Sequence, residues 1–111
     1  METVLILARD EVVAALLGLL VELCGHRPVF ANRGESVADA CERASCEKLV
    51  IDCDHWECSQ KMLGELHRSG KKIVLFSPSR SAAETSRSAT PLALKSFTLP
   101  IGPEAFGKLL A

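Results

Sequence analysis

Residues 48–52 read Lys48-Leu49-Val50-Ile51-Asp52. A continuous apolar run of this kind is the pattern of a strand covered on both faces. A carboxylate straight after such a strand is aimed at the carboxyl edge of the sheet, where open α/β folds build their sites. Asp52 is therefore the first candidate functional residue.

Apolar runs and helical segments alternate on either side of it. Thr3 to Leu7 reads as a second continuous apolar strand. Asp10 is placed to cap a helix over Glu11 to Cys24, which Gly25 stops. Pro28 to Ala31 forms a short strand. Ser36 or Glu35 then opens a helix to about Ala44, with Val37, Ala40, Cys41 and Ala44 on one face. After the 48–51 strand, Trp56 to Ser69 reads as a helix with Met62, Leu63 and Leu66 inward, closed by Gly70. Lys72 to Phe76 is the next strand, Ser81 to about Ala89 a helix ended by Pro91, and Leu94 to Thr98 a last short strand. Pro103 starts the final helix at its favoured first turn. Alternation of this kind requires a parallel sheet with helices on both faces. Right-handed crossovers then point to a flavodoxin-like strand order 2-1-3-4-5.

Composition narrows the function. The 111 residues suit one domain, residues 1–111. A 48% hydrophobic, 24% charged content is that of a globular chain rather than a disordered one. A net charge of −1 supplies no basic field, so neither nucleic acid nor a membrane surface is expected as a partner. The apolar stretch Val12 to Cys24 is too short to span a bilayer and reads as a buried helix. Met-Glu-Thr lacks the positive start of a secretory signal, so the expected address is cytoplasmic. Cysteines at 24, 41, 46, 53 and 58 are odd in number and read as reduced, mostly buried thiols.

The spacing of Gly25, Gly34, Asp52, Ser77 and Pro100 resembles the receiver domain of bacterial response regulators, over nearly the whole chain. The resemblance makes Asp52 the phosphoacceptor position and implies a non-enzymatic signalling module of two-component phosphorelays. It also implies a Mg²⁺ site with two or three protein oxygens, a Lys at the end of the fifth strand, and a Thr or Ser hydroxyl after the fourth strand. Ser77 supplies the hydroxyl. The acidic-pair positions instead hold Ala8 and Arg9, with Asp10 one residue later, and the Lys position holds Leu99, followed by Pro100. Only Asp52 and Asp10 remain as metal ligands.

The expectation is therefore an atypical or pseudo-receiver that works through protein–protein contact. Arg9 is expected to pair with Asp52 and hold it in a fixed conformation. Partners would be a histidine kinase, a phosphotransfer domain, an output domain or a second copy. The docking face would be built by the fourth helix, fifth strand and last helix, including Leu94, Phe97 and Phe106. One alternative is a working phosphoacceptor that uses Asp10, Asp52 and Asp54 for the metal. A further alternative is a small redox or metal-binding protein built on Cys53, His55 and Cys58, whose Cys-x-His-x-x-Cys spacing zinc would accept. A thiolate near a helix N-terminus would have a lowered pKa. The bland reading of that segment is a loop anchored by Trp56. Arg80, Arg87, Lys95 and Lys108 read as scattered and solvated.

Overall fold

Each apolar run forms a strand of one sheet. The computed structural model describes residues 2–111. The elements are β1 (Thr3–Leu7), α1 (Glu11–Leu23), β2 (Arg27–Phe30), α2 (Val37–Ala44), β3 (Lys48–Asp52), α3 (Gln60–Arg68), β4 (Lys72–Phe76), α4 (Ala82–Ala89), β5 (Lys95–Phe97) and α5 (Pro103–Leu110). The strands are all parallel, in the order β2-β1-β3-β4-β5. This is the flavodoxin-like order that the alternation implied. Leu5 stands beside Leu49, Val50 beside Val74, and Phe76 beside Phe97, so β1, β3, β4 and β5 carry apolar side chains in matched rows.

Two layers of core explain why the strands are apolar throughout instead of alternating. Leu5, Leu7, Leu49, Ile51, Ile73 and Leu75 pack on one face with Ala40, Cys41, Leu63 and Leu66 from α2 and α3. Val4, Ile6, Val50, Val74 and Phe76 pack on the other with Leu17 and Val21 from α1 and Phe106 and Leu110 from α5. At the free edge of the sheet, β2 contains Pro28. At the opposite edge, β5 is only 3 residues long.

The helix starts follow the capping residues. Asp10, Ser36, Ser59 and Ser81 each accept a backbone N–H of the first turn, and Ser81 with Glu84 closes a full capping box. Gly25 ends the first crossover with φ +83°, a left-handed conformation that a side chain would strain.

Three details depart from expectation. First, α3 begins at Gln60 rather than Trp56. The Cys58 N–H bonds the His55 carbonyl and the Glu57 N–H bonds His55 Nδ1, which holds 55–58 as a turn until Ser59 caps the helix. Trp56 is 80% exposed and stacks on His55 with ring centroids 5.5 Å apart, so it anchors nothing. Second, α1 is not a buried helix. Leu17, Gly18, Leu20 and Val21 face the sheet, but Val12, Leu16, Leu19 and Leu23 face outward. Third, Phe97 and Phe106 belong to the core, packed edge to face, and are unavailable to a docking surface. Among the described residues no helix is long and apolar enough to cross a membrane.

Candidate functional site

Asp52 ends the middle strand and is 1% exposed. Burial of a carboxylate is costly unless its oxygens are hydrogen-bonded. Here one oxygen accepts the Arg9 N–H at 3.2 Å and the other the Asp54 N–H at 2.8 Å. Among the described residues it has no ion pair within 4.0 Å. The expected pairing of the Arg9 guanidinium with Asp52 is thus corrected to a backbone contact. The reason lies one residue on. Asp10 commits one oxygen to the Val12 and Val13 N–H groups at 2.7 and 3.2 Å, and that cap sets the turn presenting the Arg9 backbone to Asp52. The Arg9 residue itself is exposed. The same cap binds Asp10 to the helix start rather than to Asp52.

Ser77 lies at the end of β4, buried as expected of the hydroxyl position. Its hydroxyl donates to Asp54, not to Asp52, with Oγ 2.6 Å from Asp54 Oδ2. The Ser79 hydroxyl donates to the same oxygen at 2.8 Å, and Arg80 Nε lies 2.8 Å from the other. The Ser77 Oγ also accepts the Arg80 N–H at 3.0 Å. Hydrogen bonds from Ser77 and Ser79, with Arg80 beside them, hold the Asp54 carboxyl below its ordinary range. Arg80, expected to be solvated, is the cation of this cluster. Asp54 is therefore the hub joining the β3–α3 and β4–α4 loops. The sequence signal for it was weak, since an Asp two residues past a strand end is common.

Leu99 is half-buried against the aromatic side of the core, and the Leu99–Pro100 bond is cis. Leu99 offers no cation to Asp52. Cys53, His55 and Cys58 do not form the expected metal set, although Cys53 and Cys58 pack against the same layer of the core. Among the described residues no three His, Cys, Asp or Glu groups are placed to hold a metal ion. Burial pushes the Cys53 thiol up and the Cys58 thiol up to about 11, the reverse of an activated thiolate. Burial also lowers the His55 pKa. Cys41 and Cys46 are buried in the core with their sulfurs 3.0 Å apart. On the β1 side of Asp52 a half-open cleft of about 520 Å³ is lined by Ala8, Glu11, Phe30, Arg33, His55 and Trp56 among others.

No protein-family model and no curated protein matches this sequence. Solved structures do match in shape. A CheY-like response regulator receiver domain protein from Methanospirillum hungatei JF-1 superposes with a TM-score of 0.76 at 18% identity, covering 99% of this chain and 90% of the other. A response regulator from Thermotoga maritima gives 0.77 at 11% identity, with 99% and 94% covered. The signal receiver domain of a modulated diguanylate cyclase from Desulfovibrio desulfuricans G20 gives 0.73 at 19% identity, with 99% and 90% covered. The fold of this chain is that of CheY-like receiver domains.

Proposed function

We propose that this chain is a pseudo-receiver: a non-enzymatic signalling module that presents one fixed conformation to a protein partner and is not phosphorylated on Asp52. The observation that carries this reading is the Asp54 cluster. In a receiver, the hydroxyl after the fourth strand is the group that meets the phosphoryl oxygens. In this chain that hydroxyl, on Ser77, is already donated to an internal anion, Asp54, whose charge Arg80 neutralises. The loops that would respond to phosphorylation are thus tied together without it.

The metal chemistry of the family finds little support in these residues. Mg²⁺ demands a near-octahedral set of oxygens. Both Asp52 oxygens accept backbone N–H groups, Asp10 caps α1, Ala8 has no donor, and Asp54 is held by two hydroxyls and a guanidinium. This set does not fit the ion. The Lys that would meet a phosphoryl group is replaced by Leu99. A histidine kinase, a phosphotransfer domain, an output domain or a second copy of the chain are the protein partners consistent with the fold.

The test is incubation with a small acyl-phosphate donor and Mg²⁺, read by intact mass. The expected result is an unchanged mass for the wild type and for Asp52→Ala alike. A phosphorylated wild-type species that Asp52→Ala abolishes would establish a working phosphoacceptor instead.

A further inference from the structure

Helix α2 ends in a turn that brings two thiols together. The Cys46 N–H bonds the Cys41 carbonyl at 3.1 Å, and the Ser45 N–H bonds the Glu42 carbonyl at 3.3 Å. Ser45 is left-handed, with φ 53°. Those two bonds and that conformation define a Schellman ending, in which the residues joined by the longer bond usually make an apolar side-chain contact. Here those residues are Cys41 and Cys46. Their sulfurs lie 3.0 Å apart, about 1 Å more than the ~2.05 Å of a disulfide. The bond from the Cys46 N–H to the Cys41 carbonyl also limits the α-carbon separation to about 7 Å, which is the reach of a disulfide.

We propose that Cys41 and Cys46 are a site of intramolecular disulfide formation, which locks the last turn of α2 to the residues leading into β3. Among the described residues this is the only sulfur–sulfur hydrogen bond, and Cys24 instead contacts the Pro103 carbonyl at 3.4 Å. The oxidant is a small disulfide. The Cys46 thiolate attacks one of its sulfurs and expels a small thiolate, which leaves a mixed disulfide on Cys46. The Cys41 thiolate then attacks the Cys46 sulfur and expels the second small thiolate. Two electrons pass from the protein sulfurs to the small disulfide, and the two thiol protons end on the released thiols.

Cys46 attacks first because it lies beyond the helix and beside a cation. Lys71 Nζ donates to the Cys46 carbonyl at 2.8 Å. The hydrogen bond shared with Cys41, helped by the Lys71 charge, holds the Cys46 thiol below its ordinary range against burial and Glu47.

Burial sets the rate. Cys46 is 0% and Cys41 4% exposed, so an oxidant reaches neither sulfur until the end of α2 frays. The bridge therefore forms slowly and is shielded once made. That behaviour is a lock, in contrast to a rapid redox sensor, whose cysteine is solvent-accessible. The pair lies at the start of β3, whereas Asp52 lies at its end. The proposal does not rest on the pseudo-receiver reading, since a phosphorylated Asp52 would leave this turn as it is.

Prolonged incubation of the native full chain with excess oxidised glutathione tests it, followed by an acid quench, alkylation of free thiols and tryptic mapping without reduction. Trypsin cuts after Arg33, Arg43 and Lys48, so the expected product is segment 34–43 joined to segment 44–48, each holding one cysteine. Amide exchange at Ser45 and Cys46 is expected to slow on the order of tenfold in the bridged chain, because its turn no longer frays. Recovery of Cys41 and Cys46 as free thiols, or of either joined to Cys24, Cys53 or Cys58, overturns the proposal. Exchange that is unchanged or faster in the bridged chain overturns the lock, since it would mean that the bond strains the turn or leaves it open.

Discussion

At the scale of single residues, two neighbouring aspartates have separate environments. Asp52 is enclosed and satisfied by backbone N–H groups, whereas Asp54 gathers side chains from another loop. Asp54→Ala removes the acceptor for two hydroxyls, one of them on buried Ser77, and is expected to destabilise the fold by about 1–2 kcal/mol. The half-exposed Arg80 adds little to that figure. The pH dependence has a definite sign. A carboxyl whose folded pKa lies below its unfolded value contributes stability above the unfolded pKa and loses it as pH falls through the folded one. The gap between wild type and Asp54→Ala in urea midpoints is therefore constant near neutrality and narrows below about pH 4. A gap that widens on acidification would contradict the assignment. The position of Asp52 was legible in the sequence because a strand end fixes it. The role of Asp54 was not, because it depends on how segments 53–59 and 77–81 fold against each other, and neither has a periodic signal.

At the scale of elements, most boundaries could be read from side chains that do local work. Asp10, Ser36 and Ser81 mark helix starts, Gly25 and Gly70 mark ends, and Pro103 opens α5. The start of α3 was misread because Trp56 and Cys58 continue an apolar-looking pattern that the turn at His55 interrupts. α3 also contains Gly64 within its nine residues. A Cβ added there would meet only the tip of the Arg68 side chain, at 3.3 Å, and that side chain can swing aside into solvent. Gly64→Ala should stabilise the protein by about 0.5–1 kcal/mol through helix propensity. A higher denaturant midpoint with an unchanged slope is the expected readout, and a lower midpoint would show that the site is tighter than its geometry indicates.

At the scale of the whole molecule, the parallel order followed from continuous apolar strands alternating with capped helices, and the structure has it in full. What the sequence did not disclose was which apolar residues remain outside. Periodicity separates apolar from polar faces, and α1 has too few polar residues to show where its two faces divide. The same limit put Phe97 and Phe106 on an outer face when both lie inside. The metal reading also belongs to this scale. A bound ion at a hundred times its dissociation constant would add about 2.7 kcal/mol of stability. Millimolar Mg²⁺ is expected to leave both the melting temperature and the amide resonances around Asp52 unmoved. A saturable rise in Tm would restore the ion to the site.

The proline in β2 and the brevity of β5 have a consequence for how copies of this protein can meet. A sheet grows by recruiting a new strand along an open border, the route by which many proteins aggregate or form fibrils. Pro28 withdraws one backbone donor from one border, and the other is too short to template a long partner. Extension of the sheet into a fibrillar stack is thereby discouraged at both ends.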